Sequence, residues 1–217
     1  MNYLKGVLTM IDLNLLTFNE DDHTYTYRGK QLPNVSAILR PIADFSRVDP
    51  AVLAQAAERG TRVHEACLDW DFDHNTEVDP DIEGYVRAYA SFIRDYRVKD
   101  WLFYEKPVTD GFIAGTLDRF GVIGGWTTML DIKSGQFHSM QHYAQVNAYT
   151  KLLRSCMPEF AGVDIHMMVL CIKNDGTYVV HEPSIRENEN ALRVYNACLD
   201  LHEAVQCYKE GRKVNGK

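Results

Sequence analysis

Two strand-like runs joined by a Gly-Gly pair constrain the fold of this chain more than any other feature of its sequence. The runs are GFIAGTLDRFGVI, near residues 111–123, and WTTMLDIKS, near residues 126–134, and the intervening Gly124-Gly125 pair is typical of a tight hairpin turn. Strands joined in this way lie side by side and antiparallel. With the preceding run WLFYEKPV, near residues 101–108, they predict an antiparallel meander of three strands.

Three charged side chains lie on the two strands that flank this turn. Asp118 is on the first strand, and Asp131 and Lys133 are on the second. Because side chains alternate between the faces of a strand, Asp131 and Lys133 point the same way, and hairpin pairing can bring Asp118 near them. Two carboxylates suit Mg²⁺, and an ammonium group can orient water or offset charge on a phosphate. The alternative is an ordinary salt bridge, but the apolar neighbours Leu130 and Ile132 indicate a buried setting in which unpaired charges are costly.

The rest of the chain alternates helix-like and strand-like segments. Polar and apolar positions alternate over residues 15–39 around Gly29, which predicts an N-terminal β-hairpin. Helices are predicted from Asp49-Pro50 to about residue 70 with a break at Gly60, and over residues 80–97, 138–154 and 186–209, and strands over residues 163–172 and 176–182. The order after the hairpin is ααβββαββα, and no repeat or long linker divides it.

Composition and charge limit the classes of protein to consider. The 217 residues, 46% hydrophobic and 24% charged, fit one globular domain. No apolar stretch approaches the roughly 20 residues of a membrane span, and the amino terminus reads poorly as a secretory signal, so we expect a cytoplasmic protein without a membrane partner. The five cysteines include no CxxC pair and no close Cys/His grouping, which disfavours a disulfide framework or a zinc site and favours reduced, partly buried thiols. A net charge of -7 means that any contact with nucleic acid must be local.

Four short motifs carry a resemblance to a known family. Gly115-Thr116-Leu117-Asp118-Arg119 and Asp131-Ile132-Lys133-Ser134-Gly135 resemble the second and third motifs of RecB-type nucleases in the PD-(D/E)XK superfamily. Gly60-Thr61-Arg62-Val63-His64-Glu65 is similar to the family's GxxxHE signature, and Gln145-Val146-Asn147-Ala148-Tyr149 to its QxxxY motif. The motifs occur in the family's order and cover roughly residues 58 to 153.

The resemblance implies an α/β fold with a central mixed β-sheet flanked by helices, a restriction-endonuclease-like core, to which the N-terminal β-hairpin is added. It implies that residues 1–217 form a single nuclease domain. This domain would consist of an N-terminal β element at residues 1–48, a catalytic core at 49–182 and a C-terminal helix at 183–217.

The resemblance also implies hydrolysis of DNA by metal-activated water. One or two Mg²⁺ or Mn²⁺ ions would be bound by His64, Asp118, Asp131 and the Ile132 carbonyl, and Glu105 is a candidate for a further carboxylate ligand. Lys133 would position the attacking water. Gln145 and Tyr149 would contact the scissile phosphate or the lysine. Each of the outlying residues also has a simpler interpretation. His64 could be a partly exposed helical histidine that makes a hydrogen bond, Gln145 and Tyr149 could simply pack against each other one helical turn apart, and Glu105 could be an exposed strand residue.

The implied activity is that of an exonuclease processing DNA ends in recombination, repair or phage replication. DNA is the expected partner, with a recombination or replication protein as a further one. An endonuclease of the same fold and a catalytically silent DNA-binding or assembly protein are the alternatives; the silent form would be marked by a missing Asp or Lys, and none is missing. Some relatives carry an iron-sulfur cluster, but the late cysteines here are too scattered for its grouped ligands, so we expect none.

Overall fold

The computed structural model describes residues 11–19, 22–43 and 48–215. Residues 1–10, 20–21, 44–47 and 216–217, which belong to the predicted N-terminal β element and C-terminal helix, lie outside the described residues. The strands are β1 (Leu16–Asn19), β2 (Thr24–Tyr27), β3 (Lys30–Leu32), β4 (Trp101–Thr109), β5 (Ala114–Ile123), β6 (Trp126–Lys133), β7 (His166–Ile172) and β8 (Tyr178–His181). The α-helices are α1 (Val35–Leu39), α2 (Pro50–Phe72), α3 (Glu83–Asp95), α4 (Ser139–Cys156) and α5 (Ile185–Asn215).

A mixed five-stranded sheet in the order β4-β5-β6-β7-β8 forms the centre of the molecule. Its first three strands are the antiparallel meander predicted from the sequence, and both glycines of the Gly124-Gly125 turn have the positive φ, 59° and 90°, that a tight hairpin requires. β7 then pairs parallel to β6, and α4 provides the crossover that a parallel connection needs. The predicted mixed sheet flanked by helices is confirmed.

Alternation along the central strands divides the apolar side chains between the two faces of the sheet. On β6, Met129 packs in a core with α1, α4 and α5, whereas Leu130 and Ile132 pack in a second core with α2 and α3. Asp131, two residues after Met129, points to the same face of the sheet as Met129, and both of its chain neighbours are fully buried apolar residues. The carboxylate is thus held in the interior of the protein by the packing of the strand that carries it.

The first long helix differs from its prediction. α2 begins at the predicted Pro50, with Asp49 accepting a hydrogen bond from the amide of Ala51, but it continues without a break through Gly60. A single glycine costs a helix only about 1 kcal/mol relative to alanine, and the helix formers on either side outweigh that cost. A Cβ at residue 60 would find only Ser134 Oγ within 4 Å, at 3.9 Å, so the absent side chain leaves open space beside the helix.

The N-terminal region forms a three-stranded antiparallel sheet, β1-β2-β3, one strand more than the predicted hairpin. The sheet is attached to β5 at two points. The Ala114 amide donates to the Pro33 carbonyl at 3.1 Å, and the hydroxyls of Tyr25 and Thr116 share a hydrogen bond at 2.8 Å. This attachment places the small sheet beside the strand that carries Asp118.

Two helices end at residues that differ from their predicted ends. α3 is shorter than predicted, and α5 continues past the predicted end at residue 209. Four of the five cysteines are buried free thiols, as expected, and Cys207 is exposed. Within the described ranges, none of the helices combines the length and the apolar character that crossing a membrane would require.

Candidate metal centre

His64 extends from α2 towards the end of β6. The helix buries Val63 and Cys67 against the sheet, and this orientation leaves His64 partly exposed in a cleft. Its Nε2 lies 3.0 Å from the Ile132 carbonyl oxygen, and its Nδ1 lies 3.4 Å from Glu105 Oε1. The histidine of the helical motif therefore reaches the strand motifs, as the resemblance implied.

Glu105 and Asp118 face each other across adjacent strands. The register that pairs Tyr104 with Arg119 and Lys106 with Leu117 places these two carboxylates at opposite positions, an arrangement that destabilises a sheet when nothing lies between the charges. Glu105 also has a φ of 36°, a left-handed conformation that costs a non-glycine residue on the order of 1–3 kcal/mol. Two unfavourable features in one place are typical of a functional site rather than of a structural one.

The three side chains form a set of ligands for a cation. One ligand atom each from His64, Glu105 and Asp118 lies within 4.8 Å of the other two. Two carboxylates suit Mg²⁺ or Mn²⁺, and an imidazole nitrogen favours Mn²⁺ of the two. The donor atoms therefore fit the ions that the sequence predicts.

Asp118 is a buried carboxylate that forms an ion pair with His64, whose Nδ1 lies 3.8 Å from Asp118 Oδ1. Its buried carboxylate accepts a hydrogen bond from the Ile132 amide at 2.6 Å, but no Lys or Arg among the described residues forms an ion pair with it. Burial, with the nearby negative charges of Asp131 and Glu105, raises the pKa of Asp118 to about 7 despite the opposing effect of His64. Burial alone would lower the pKa of His64, but Asp118 and Glu105 outweigh it and raise that pKa to about 9. The raised pKa of Asp118 means that its charged form is disfavoured in this setting, and a bound cation would stabilise that form.

Asp131 and Lys133 lie on the same side of β6, as predicted. Lys133 Nζ contacts both carboxylate oxygens of Asp131, at 2.9 and 2.8 Å. Burial raises the pKa of Asp131 while Lys133 opposes that effect. Asp131 stands outside the group of three ligands, in which Glu105 provides the second carboxylate. Metal binding by Asp131 and by the Ile132 carbonyl stays a prediction.

A buried arginine, Arg119, contacts two of the three candidate ligands. Arg119 is fully buried, and it pairs with Asp71 of α2 at 2.8 Å and with Glu105 at 2.7 Å. Its guanidinium also donates to the Asp118 carbonyl at 2.8 Å, so one cation holds the backbone of one ligand and the side chain of another. Sequence reasoning missed Asp71 and gave Arg119 no role. The available signal was the seven-residue spacing of Asp71 from His64, which places both on one face of a helix.

The second helical motif contributes one residue directly to the site. Gln145 Nε2 donates to the Tyr149 hydroxyl at 2.8 Å, and the Tyr149 ring packs so closely on Gly115 that a Cβ there would lie 2.8 Å from Tyr149 Cε1. Tyr149 lines the cleft, and Gln145 reaches it through Tyr149. Their predicted contacts with a phosphate or with Lys133 stay predictions.

The ligand group opens into a cavity of about 780 Å³. Its walls come from the N-terminal sheet, α2, β4, β5 and the end of β6, and the lining includes Tyr25, Arg59, His64, Glu105, Asp118 and Lys133. A volume of this size lies within the range of about 300–1,000 Å³ typical of ligand sites. The candidate metal centre is therefore open to a substrate.

No model of a known protein family matches the chain, and a search of curated proteins finds no relative.

Proposed function

We propose that this protein is a metal-dependent DNA nuclease with a restriction-endonuclease-like core, and that it acts as an exonuclease on DNA ends. The observation that carries the proposal is the convergence of His64, Glu105 and Asp118 beside Lys133 in an open cavity. The resemblance of the four sequence motifs to RecB-type nucleases supports it, because residues from all four motifs lie in or beside that cavity.

The ligand group provides the charge for phosphodiester chemistry. When bound, Mg²⁺ or Mn²⁺ lowers the pKa of a water molecule and offsets charge on the phosphate. His64, Glu105 and Asp118 would hold the ion, and Arg119 keeps Glu105 oriented towards it. The raised pKa of Asp118 supports this assignment, because a bound divalent cation would stabilise the charged carboxylate.

Lys133 has a separate role in this proposal. It lines the cavity, and Asp131 holds its ammonium group in a buried setting. Burial lowers the pKa of Lys133, but Asp131 and Asp118 more than offset that effect, so the group remains charged. A charged lysine acts by orienting the attacking water and by stabilising negative charge on the phosphate rather than by accepting a proton.

The activity is tested with linear, nicked and covalently closed circular DNA, each with Mg²⁺, with Mn²⁺ and with excess EDTA. We expect degradation of linear DNA in either metal and none in EDTA. Undiminished cleavage in EDTA would refute the metal mechanism, and cleavage of the closed circle would identify an endonuclease. Binding of DNA and metal without cleavage would identify the silent DNA-binding alternative.

Asp131→Asn provides the matched variant, because it removes the charge that holds Lys133 and keeps nearly the same shape. We expect it to abolish cleavage while the circular dichroism spectrum stays that of the wild type. Asp200→Asn, at an exposed position of α5, controls for the loss of one carboxylate and should cleave normally. Equal activity of all three proteins would remove Asp131 from the catalytic site.

A further inference from the structure

An aromatic wall of the cavity lies on the N-terminal sheet. Phe18 stacks on Tyr25 with ring centroids 4.6 Å apart and an interplanar angle of 25°, and His23 meets Phe18 edge-on. All three side chains line the cavity. Tyr25 is buried and its hydroxyl is hydrogen-bonded to Thr116, two residues before Asp118, so the aromatic wall is fixed relative to the metal ligands.

Arg59 lies on another wall of the cavity and has no ion-pair partner among the described residues. Among the described residues that line the cavity, two are Lys or Arg, namely Arg59 and Lys133. Lys133 is already paired with Asp131. The buried Nε of Arg59 has no hydrogen-bond partner, and its guanidinium forms no ion pair within the described part of the chain. Burying an unsatisfied donor costs free energy, and the planar guanidinium matches phosphate oxygens in particular.

From these two walls we propose that the cavity is a subsite for one unpaired nucleotide of single-stranded DNA, with the base stacked on Phe18 and a phosphate bound by Arg59. This inference rests on the proposed function, whose substrate it specifies. Stacking on an aromatic side chain needs a free face of the base, which a base inside a duplex does not offer. The enzyme would therefore engage single-stranded or frayed ends.

The local charge of the subsite agrees with the acidic character of the whole chain. With a net charge of -7, the protein has no general attraction for a polyanion, so phosphate binding depends on a cation inside the cavity. Arg59 lies five residues before His64 on α2, and both side chains line the cavity. The helix α2 would thus hold both the bound phosphate, through Arg59, and one of the candidate metal ligands, His64.

The test measures binding rather than cleavage, so that its result is independent of catalysis. A short single-stranded oligonucleotide with a terminal 2-aminopurine is titrated with protein in Ca²⁺, and the dissociation constant and the fluorescence quenching caused by stacking are recorded. Phe18→Leu should lose the quenching and weaken binding by about 5- to 150-fold, the range that loss of one stacked base gives. Arg59→Gln should keep the quenching, weaken binding and reduce the slope of log K against log salt by about 0.7.

Trp126→Leu is the matched control, since Trp126 is 60% exposed and lies at the opposite end of β6 from Lys133. It should bind like the wild type. Wild-type affinity and quenching in Phe18→Leu, or equal binding of a blunt duplex, would overturn the subsite. If Phe18→Leu does not fold, Phe18→Trp replaces it: retained or stronger quenching supports the platform, and loss of quenching overturns it. Normal oligonucleotide binding without any cleavage would refute the proposed nuclease and leave the subsite standing.

Discussion

Replacing Asp118 by asparagine is expected to stabilise the metal-free protein and to remove the effect of metal on its stability. The carboxylate is buried, receives one hydrogen bond from the Ile132 amide and has no Lys or Arg partner among the described residues. Its ion pair with His64, at 3.8 Å, offsets only part of the effect of burial, since the pKa of Asp118 is still raised. Asparagine keeps an oxygen that can accept that hydrogen bond, but it carries no charge. The substitution therefore removes an unfavourable buried charge and also removes a candidate metal ligand.

The size of the effect follows from the pKa of Asp118. Burial raises this pKa from an ordinary 3.8 to about 7, and each unit corresponds to about 1.4 kcal/mol. Between these two values the folded protein binds a proton that the unfolded chain has lost, so stability falls as the pH rises through that window. At pH 8 the full penalty applies, with a ceiling of about 4 kcal/mol, whereas at pH 5 it is below about 2 kcal/mol.

Urea unfolding at pH 5 and pH 8, in EDTA and in Mn²⁺, measures this difference. In EDTA, Asp118→Asn should exceed the wild type by about 2–4 kcal/mol at pH 8 and by less at pH 5, and Mn²⁺ should stabilise only the wild type. Asp200→Asn serves again as the exposed control and should match the wild type throughout. A variant less stable than the wild type in EDTA at pH 8 would refute the reasoning, because it would mean that the folded protein already compensates this charge.

Three further substitutions test other parts of the site. Arg119→Met removes the buried cation that pairs with Asp71 and Glu105, and it should lower the free energy of unfolding in urea by about 3–5 kcal/mol; a loss below about 1 kcal/mol would contradict the stabilising role of these pairs. His64→Ala should weaken Mn²⁺ binding more than Mg²⁺ binding in calorimetric titrations, because imidazole prefers the transition metal, and equal Mn²⁺ affinities in two folded proteins would exclude His64 from the site. Gly115→Ala places a Cβ 2.8 Å from a ring carbon of Tyr149 and should cost about 1–3 kcal/mol in thermal unfolding, whereas an unchanged melting temperature would show that the ring can shift freely.

The strand motifs were predictable because a hairpin has a fixed periodicity and a short turn. The two glycines at 124 and 125 set the antiparallel pairing, and the alternation of side chains then places Asp118 near Lys133 and the residues around it. The start of α2 was predictable for a similar reason, since an Asp-Pro pair provides both a cap and a first helical residue. In each case the information is local.

The parts of the site that sequence reasoning missed depend on long-range contacts. Arg119 lies in a strand where a charged residue could equally face solvent, and only the packing of α2 on the sheet brings Asp71 to it. The left-handed backbone of Glu105 has no sequence signal, because no glycine or asparagine marks the position. The proposed break at Gly60 was wrong because a local helix penalty was given more weight than the packing of the whole helix.

Because the N-terminal sheet is a separate element attached to β5, its side chains can change without a change in the candidate metal ligands. The candidate metal ligands belong to α2 and the five-stranded sheet, whereas the aromatic wall belongs to a separate small sheet that is attached to β5 near Ala114 and Thr116. Substitutions in β1, β2 and β3 can therefore reshape what fits the cavity while the candidate ligands stay in place. Under the proposed function, a change of substrate preference would not require the loss of activity, and grafting a different small sheet onto the same core would be a practical route to it.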